Sequence, residues 1–314
     1  MTTPVPPDLA ATLAERVVVL DGGLSTQLER QGKDVSTALW SAALLQDDPE
    51  AIAAAHRAYF EAGAEIATTA SYQASLEGFA AAGLGAVRAR ELITDSVRIA
   101  VRARDDAGLG GRAWVAASVG PYGAVLAGGQ EYTGDYPEPR DTVAGLRAFH
   151  RPRLELLAAA GADVLACETI PRLAEVEALL LELETLRIPA WISLTTVLDV
   201  RGRPRTRLGE DATEAFTMAG QSPHVVAVGV NCTSPDGLTA VVGAAASHSA
   251  KPVVVYPNSG EVWDGGSRRW RGRPGLAEAD VAAWAGAGAR LVGGCCRTLP
   301  EHIGTLRRAV GPAR

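Results

Sequence analysis

Two of the four cysteines in this 314-residue chain, Cys295 and Cys296, stand side by side directly behind Gly293 and Gly294. Adjacent thiols pair poorly with each other, because the eight-membered disulfide ring that they would form is strained. Two adjacent thiolates can instead bind one metal ion where the backbone bends, and a Gly-Gly pair permits such a bend. A third cysteine, Cys232, follows another apolar run far upstream. We therefore predict that three thiolates meet at one ion.

The competing interpretation is packing, since free cysteines are among the most buried residues. We accept it for Cys167, which lies inside the apolar run that begins at Val164. We do not accept it for the glycine-flanked pair, because glycines in a strand give up packing for backbone freedom.

Three thiolates select a soft or borderline ion, and zinc is the expected one. No fourth ligand is evident, because the five histidines fall in predicted helices or loops and none forms a His-Glu-x-x-His motif. An open site is typical of catalytic zinc. Sulfur ligands overcompensate the charge of the ion, so the site would suit holding a substrate thiol as thiolate rather than activating water. The expected reaction is alkyl transfer to sulfur, and a sulfonium donor would leave as a neutral thioether.

The composition is that of a soluble globular protein, with 47% hydrophobic and 21% charged residues and a formal net charge of −6. The absence of a basic cluster argues against a nucleic-acid partner. Four cysteines are too few for a disulfide framework, which favours a reducing compartment. We read no signal peptide and no membrane span, so we expect a cytoplasmic protein.

Eight apolar, β-branched runs alternate with stretches of helical periodicity. The predicted strands are 17–20, 65–70, 114–119, 163–167, 190–195, 225–230, 252–256 and 289–292, with glycine-containing loops at 120–139 and 199–209. This alternation predicts an α/β fold, a TIM (β/α)8 barrel, in a single domain spanning 1–314. An open doubly wound sheet is the alternative, but no helix opens with a Gly-x-Gly-x-x-Gly turn.

In such barrels the active site lies at the carboxyl ends of the strands, and alternate strands contribute to the same interior layer. Cys232 ends the sixth predicted strand and the Cys295-Cys296 pair ends the eighth. Ser71 follows the second and Glu168 the fourth. A ring of residues at the ends of the even-numbered strands could therefore hold a metal on one side and a charged small molecule on the other.

The sequence resembles the zinc-dependent homocysteine S-methyltransferases, most closely the branch that uses S-methylmethionine as methyl donor. The resemblance covers nearly the whole chain, and Asn-Cys followed much later by Gly-Gly-Cys-Cys is specific to the family. The motifs that carry it include Leu20-Asp21-Gly22-Gly23, Ala70-Ser71-Tyr72-Gln73-Ala74, Cys167-Glu168-Thr169, Asn231-Cys232, Tyr256-Pro257-Asn258-Ser259-Gly260-Glu261 and Gly293-Gly294-Cys295-Cys296.

The resemblance implies a Zn²⁺ bound by Cys232, Cys295 and Cys296, with the sulfur of homocysteine as fourth ligand. It also implies that Glu168 pairs with the homocysteine ammonium group, while backbone amides around Gly22 and Ser71 hold the carboxylate. Asp21 lies beside these amides, and Asn231 belongs to the same predicted substrate-binding set. The predicted domain is thus a homocysteine-binding barrel.

The donor pocket is not assigned by any motif. Aromatic residues in the loops after the third and seventh strands could attract a sulfonium cation: Tyr122, Tyr132, Tyr136, Trp263 and Trp270. S-adenosylmethionine and betaine remain alternative methyl donors, and another thiol or a selenol remains an alternative acceptor. A non-catalytic zinc protein or redox sensor is the alternative from another class.

Overall fold

The β-branched runs form the strands of a single parallel sheet. In this computed structural model, which describes residues 6–36, 39–264, 269–272 and 276–311, the strands are β1 (Val18–Val19), β2 (Ile66–Thr68), β3 (Trp114–Val119), β4 (Val164–Ile170), β5 (Ala190–Leu194), β6 (Val225–Asn231), β7 (Val253–Tyr256) and β8 (Ala289–Val292). Each strand pairs in parallel with the next along the chain from β2 to β8, and β8 pairs with β1. A parallel bridge between Leu20 and Ile66 closes the ring. The predicted TIM barrel is confirmed.

Helices connect the strands and surround the barrel. The α-helices are Leu9–Glu15, Leu24–Arg30, Leu44–Asp47, Pro49–Glu61, Leu76–Ala81, Ala86–Asp106, Tyr122–Val125, Val143–Ala159, Leu173–Leu186, Ala212–Gln221, Leu238–His248, Glu278–Gly286 and Pro300–Val310. Short 3₁₀ helices lie at Trp40–Ala42 and Gln130–Tyr132. Within the described residues, no helix combines the length and the apolar character needed to cross a membrane.

Two segments outside the barrel form hairpins. Thr196–Leu198 pairs with Pro204–Thr206, so the predicted loop at 199–209 is partly a strand. Val262–Asp264 pairs with Arg269–Arg271 after β7. Both hairpins extend the carboxyl end of the barrel, where loops carry function. Their strands are too short for an alternating pattern to show in the sequence.

Alternate residues of each strand point to two different cores. Inside the barrel, Trp114 and Trp191 pack with Leu20, Val164 and Leu291. The opposite faces of the strands pack against the helices, through residues that include Val115, Leu165 and Val255. Burial on both faces explains why the strands read as unbroken apolar runs. Each fully buried Val or Leu side chain contributes about 1.5–3 kcal/mol to folding.

Close packing of β6 against β7 leads to a stability prediction at Gly229. A Cβ on Gly229 would lie 1.9 Å from the carbonyl oxygen of Val254, which belongs to the partner strand. We expect Gly229→Ala to lower the free energy of unfolding by about 3 kcal/mol, because backbone must move to admit the methyl group. Urea denaturation followed by circular dichroism measures the loss.

Gly243 provides the matched control, since it lies in the helix Leu238–His248 with no atom within 4 Å of a built Cβ. Gly243→Ala should leave stability unchanged or raise it by up to about 1 kcal/mol through helix propensity. Equal effects of the two substitutions would contradict the packing argument.

Candidate metal centre and substrate cavity

The three predicted cysteine ligands come together at the carboxyl end of the barrel. Cys232 follows β6, and Cys295 and Cys296 follow β8 by three and four residues. Their sulfur atoms all lie within 4.8 Å of one another, and the Cys232 and Cys296 sulfurs are 3.6 Å apart. A tetrahedral zinc ion with bonds of about 2.3 Å would separate two sulfurs by about 3.8 Å. The cluster could therefore hold one metal ion with little adjustment.

The residues with left-handed backbone at the cluster are not the two glycines that the sequence led us to expect. Gly293 and Gly294 are not among the residues with positive φ, whereas Cys232 has φ +46° and Arg297 has φ +66°. The glycines are required for space instead: a Cβ on Gly294 would lie 2.1 Å from Cγ2 of Thr298. A Cβ on Gly293 would lie 2.5 Å from Cβ of Leu20. Left-handed backbone at non-glycine residues stores strain that the surrounding structure must hold.

The loop after β7 provides that support. The Cys295 amide donates to the carbonyl oxygen of Pro257 at 2.7 Å, and the Cys296 amide donates to Oδ1 of Asn258 at 3.2 Å. The Ser259 amide donates in return to the Cys296 carbonyl oxygen at 3.0 Å. The Tyr-Pro-Asn-Ser motif thus acts as a scaffold for the two adjacent cysteines.

The three thiols interact strongly because they lie close together, with Cys232 buried and the other two half-buried. Hydrogen bonds with Cys232 and Cys296, followed by burial, raise the pKa of Cys295 well above its ordinary value. Hydrogen bonds from Cys232 and Cys295 lower the pKa of Cys296 well below it. One sulfur is therefore the preferred site of negative charge, and three thiolates together would require a cation among them. This donor set fits a zinc ion.

A cavity of about 110 Å³ adjoins the cluster. Its wall consists of strand ends and of the loops that follow them: Gly22, Gly23, Leu24, Ser25, Thr26, Ser41, Thr68, Thr69, Tyr72, Ser118, Tyr132, Glu168, Thr169, Cys232, Tyr256, Gly294, Cys295 and Cys296. The predicted residues Gly22 and Glu168 are part of this wall. The backbone amide of Gly22 has no hydrogen-bond acceptor among the described residues.

Glu168 is the buried carboxylate of the cavity, 8% exposed. Its Oε1 accepts a hydrogen bond from the Ser118 hydroxyl. Burial raises the pKa of Glu168 to about 7, against the opposing effect of hydrogen bonds from Ser118 and Tyr256. No salt bridge to Glu168 is found in the described part of the chain. A cationic ligand group in the cavity would therefore stabilise its ionised form.

Three other predicted substrate-binding residues lie behind the cavity wall. Asp21 accepts from the Thr68 amide at 2.7 Å, and burial raises the pKa of Asp21 to about 8. The Ser71 hydroxyl donates to the Ser118 carbonyl oxygen at 2.7 Å. Asn231 is fully buried. The side chains of Asp21, Ser71 and Asn231 thus position wall residues, and none of the three residues lines the cavity.

Asn231 holds the residue after Glu168 in a strained conformation. Its Oδ1 accepts from the Thr169 amide at 2.7 Å and from the Ser193 hydroxyl at 2.8 Å, and its Nδ2 donates to the Thr169 hydroxyl at 2.7 Å. Thr169 has φ +61°. The side chain of Asn231 therefore determines where the end of β4 places Glu168.

We expect Asn231→Ala to lower the free energy of unfolding by about 2–3 kcal/mol, because a buried amide and hydroxyl lose their partners. Urea denaturation measures this loss, and Ser193→Ala is the graded control. Ser193→Ala removes one of the three bonds of Asn231 together with the contact between the Ser193 and Tyr256 hydroxyls, and it should cost about 1–2 kcal/mol. A greater loss for Ser193→Ala than for Asn231→Ala would show that Asn231 does not hold Thr169.

Two tyrosines have roles that the sequence did not indicate. The Tyr59 hydroxyl lies 2.9 Å from the carbonyl oxygens of both Gly23 and Thr298, and so links the loop after β1 to the cysteine loop. In sequence, Tyr59 is only one apolar position on a helix. The Tyr256 hydroxyl accepts from Trp191 Nε1 at 3.0 Å and lies 2.8 Å from the Ser193 hydroxyl.

Of the aromatic residues predicted for the donor pocket, some lie away from the cavity and one lines it. Tyr122 and Tyr136 are buried together in a cluster of their own, and the Arg172 guanidinium lies 5.2 Å from the Tyr136 ring centroid. Tyr132 lines the cavity, and its hydroxyl lies 3.1 Å from the Cys232 sulfur. Trp263 and Trp270 pair in the hairpin after β7, where the structure describes the backbone alone, so their predicted side-chain role lies outside what it describes. Tyr72 also lines the cavity, although the prediction did not include it.

A closed parallel barrel with a cysteine cluster and a buried carboxylate at the carboxyl ends of its strands has the organisation of a barrel enzyme. A family model described as Homocysteine S-methyltransferase matches residues 18–310. The chain belongs to the homocysteine S-methyltransferase family, and it is a methyltransferase.

Relatives match over almost their entire length. A homocysteine S-methyltransferase of Bacillus subtilis is 42% identical over 304 residues, covering 91% of this chain and 92% of the relative. That of Escherichia coli is 43% identical over 300 residues, covering 93% and 94%. The crystal structure of the E. coli homocysteine methyltransferase MmuM in its metallated form superposes with a TM-score of 0.84 at 40% identity, covering 96% of this chain and 99% of that one. An oxidized form of the same enzyme gives a TM-score of 0.83.

Proposed function

We propose that this chain transfers a methyl group from a sulfonium donor, S-methylmethionine, to the sulfur of homocysteine and so forms methionine. The observation that carries the proposal is the convergence of Cys232, Cys295 and Cys296 beside a cavity that also contains Glu168. Membership of the family and the names of the relatives support homocysteine as acceptor. The homocysteine-binding domain is proposed to be the whole chain, 1–314.

The metal is proposed to be Zn²⁺, held by Cys232, Cys295 and Cys296. Three sulfur donors at the observed spacing fit a tetrahedral ion, and the E. coli relative has been solved in a metallated form. Zinc bound by three thiolates would leave one position for the substrate sulfur and would keep that thiol ionised at neutral pH.

The charges of the cavity suit the amino-acid end of homocysteine. Glu168 would accept the ammonium group, because it is a buried carboxylate without a countercharge among the described residues. The Gly22 amide, which has no acceptor among the described residues and belongs to the same cavity wall, would donate to the substrate carboxylate. A zwitterion requires one acceptor group and one donor group, and hydrogen bonds to charged groups are the strongest of their kind.

The remaining task of the protein is alignment. A lone pair of the acceptor sulfur forms the new bond to the methyl carbon, while the bond between that carbon and the sulfonium sulfur breaks. The bonding electrons stay with the leaving sulfur, which becomes the neutral thioether of a second methionine. No proton is needed by this leaving group, so the site needs no general acid, and holding both sulfurs in line can lower the barrier substantially.

The test is a competition assay with metal-loaded protein, homocysteine and three donors: S-methylmethionine, S-adenosylmethionine and betaine. We expect methionine to form with S-methylmethionine as the preferred donor, at one zinc per chain. Preference for another donor would retain the acceptor chemistry and reject the proposed donor. Stoichiometric zinc without turnover with any donor would favour a non-catalytic zinc protein.

A further inference from the structure

Glu131 is a buried carboxylate that the proposed chemistry does not yet use. It is 4% exposed, and its Oε2 has no hydrogen-bond partner among the described residues. No salt bridge to Glu131 is found in the same set of residues. An ionised carboxylate in such surroundings is costly unless a positive charge comes close to it. The described chain provides no such charge, which points to a ligand.

The position of Glu131 relates it to the cysteine cluster. It lies in the 3₁₀ helix Gln130–Tyr132, directly before Tyr132, whose hydroxyl is 3.1 Å from the Cys232 sulfur. Burial is the main cause that raises the pKa of Tyr72. The negative charges on Cys232 and Glu131 raise it further. Glu131 itself does not line the cavity, but its charge reaches the cavity wall at Tyr72, and its neighbour Tyr132 is part of that wall beside the cluster.

The segment that carries Glu131 is anchored on both sides. Oε1 of Glu175 accepts from the Tyr122 amide at 2.7 Å, and Oε2 of Glu175 accepts from the Tyr136 hydroxyl at 2.6 Å. His150 Nε2 lies 2.8 Å from Oε1 of the same carboxylate. Glu175 thus anchors the chain on both sides of Glu131, at Tyr122 and at Tyr136.

Aromatic rings alone do not account for binding of a cation here. Tyr132 lines the cavity, but the Arg207 guanidinium already lies 5.5 Å from the centroid of its ring. Arg207 Nε also donates to the Thr195 hydroxyl at 3.0 Å, which holds the guanidinium there. A second cation near Tyr132 would be repelled by Arg207 unless a negative charge compensated.

We propose that Glu131 is a specificity-determining residue for the positive charge of the methyl donor, attracting a sulfonium centre through its field rather than through a hydrogen bond. A sulfonium group has no N–H or O–H to donate, so it complements a carboxylate oxygen that lacks a donor. An ammonium group would instead require acceptors in contact with its hydrogens. The inference rests on the proposed function, because it assigns the donor side of the same cavity.

The experiment compares wild-type protein with Glu131→Gln, and Glu138→Gln serves as the matched control because Glu138 is an exposed carboxylate of the same segment. All three proteins are metal-loaded. Two analogues of the methyl donor, used without homocysteine, test the effect of the positive charge: 2-amino-4-(trimethylammonio)butanoate and its neutral carbon isostere 2-amino-5,5-dimethylhexanoate. Binding of each is measured by calorimetry, and KM for S-methylmethionine and for homocysteine is measured by methionine formation.

We expect Glu131→Gln to weaken binding of the charged analogue and to raise the donor KM by about 30-fold, the scale of one charge pair at intermediate dielectric. Binding of the neutral isostere, the homocysteine KM and the zinc content should change by less than about twofold, as should every quantity for Glu138→Gln. Equal weakening of both analogues, or no weakening of either, would overturn the role of Glu131. Absence of methyl transfer by the wild type would reject the proposed function, while calorimetry would still test the charge preference.

Discussion

Replacement of Cys232 by serine is expected to remove both the metal and the activity, with methionine formation falling by at least about 10³-fold. A serine hydroxyl is a poor ligand because it does not ionise at neutral pH, so the ion would keep only Cys295 and Cys296. The backbone already holds Cys232 at φ +46°, and no other described His, Cys, Asp or Glu completes such a cluster. Metal analysis after dialysis and an assay of methionine formation measure the two losses.

Cys167→Ser is the matched control for this prediction. Cys167 lies in β4, fully buried among the residues that pack against the helices, and it takes no part in the cluster. We expect this variant to keep the proposed zinc and its turnover, with a stability loss of about 1–2 kcal/mol for burying a hydroxyl. Full methyl transfer by Cys232→Ser protein would end the assignment of the cluster as a catalytic metal site.

Replacement of Glu168 by glutamine is expected to raise the homocysteine KM by about 100-fold, since truncating one partner of a buried charge pair costs about 2–5 kcal/mol. Glutamine keeps the shape and can still accept from the Ser118 hydroxyl, so the change isolates the charge. Steady-state kinetics at saturating donor measure the effect. The metal content should not change, because Glu168 is not part of the cysteine cluster.

A substrate lacking the ammonium group separates charge recognition from a general disturbance of the cavity. With 4-mercaptobutanoate as acceptor, wild type and Glu168→Gln should react with similar KM values, because the partner of the carboxylate is absent. Glu177→Gln, an exposed position on the helix that follows, should behave as wild type with both acceptors. A penalty of the same size with 4-mercaptobutanoate would mean that Glu168 supports the cavity without binding the ammonium group.

Much of the architecture could be predicted because its determinants are local. The strand Trp114–Val119 and the helix Pro300–Val310 follow from runs of β-branched residues and from helical periodicity, which neighbouring residues express directly. The short hairpin at Thr196–Leu198 and Pro204–Thr206 has three residues in each strand, too few for a pattern, and its second strand lies in the predicted loop 199–209.

The structure brings the three predicted cysteines together, whereas several residues of the cavity wall were not among the predicted site residues. Cys232 and the Cys295-Cys296 pair could be placed together by counting strands, since alternate strands of a barrel contribute to one layer. Tyr72 and Tyr59 could not be recognised, because a tyrosine that lines a cavity or joins two loops has the same local pattern as one in a core.

The sequence by itself determined the barrel, the three cysteines of the cluster and the family, because residue types, spacing and periodicity are properties of the chain alone. Only the tertiary structure decided which side chains face the substrate. It turns Asn231 toward Thr169, leaves Glu168 without a countercharge in the described chain, and encloses Glu131 beside Tyr132. The physical reason is that burial and hydrogen bonding depend on residues far apart in sequence, and these set both the direction of a side chain and the energy of its charge.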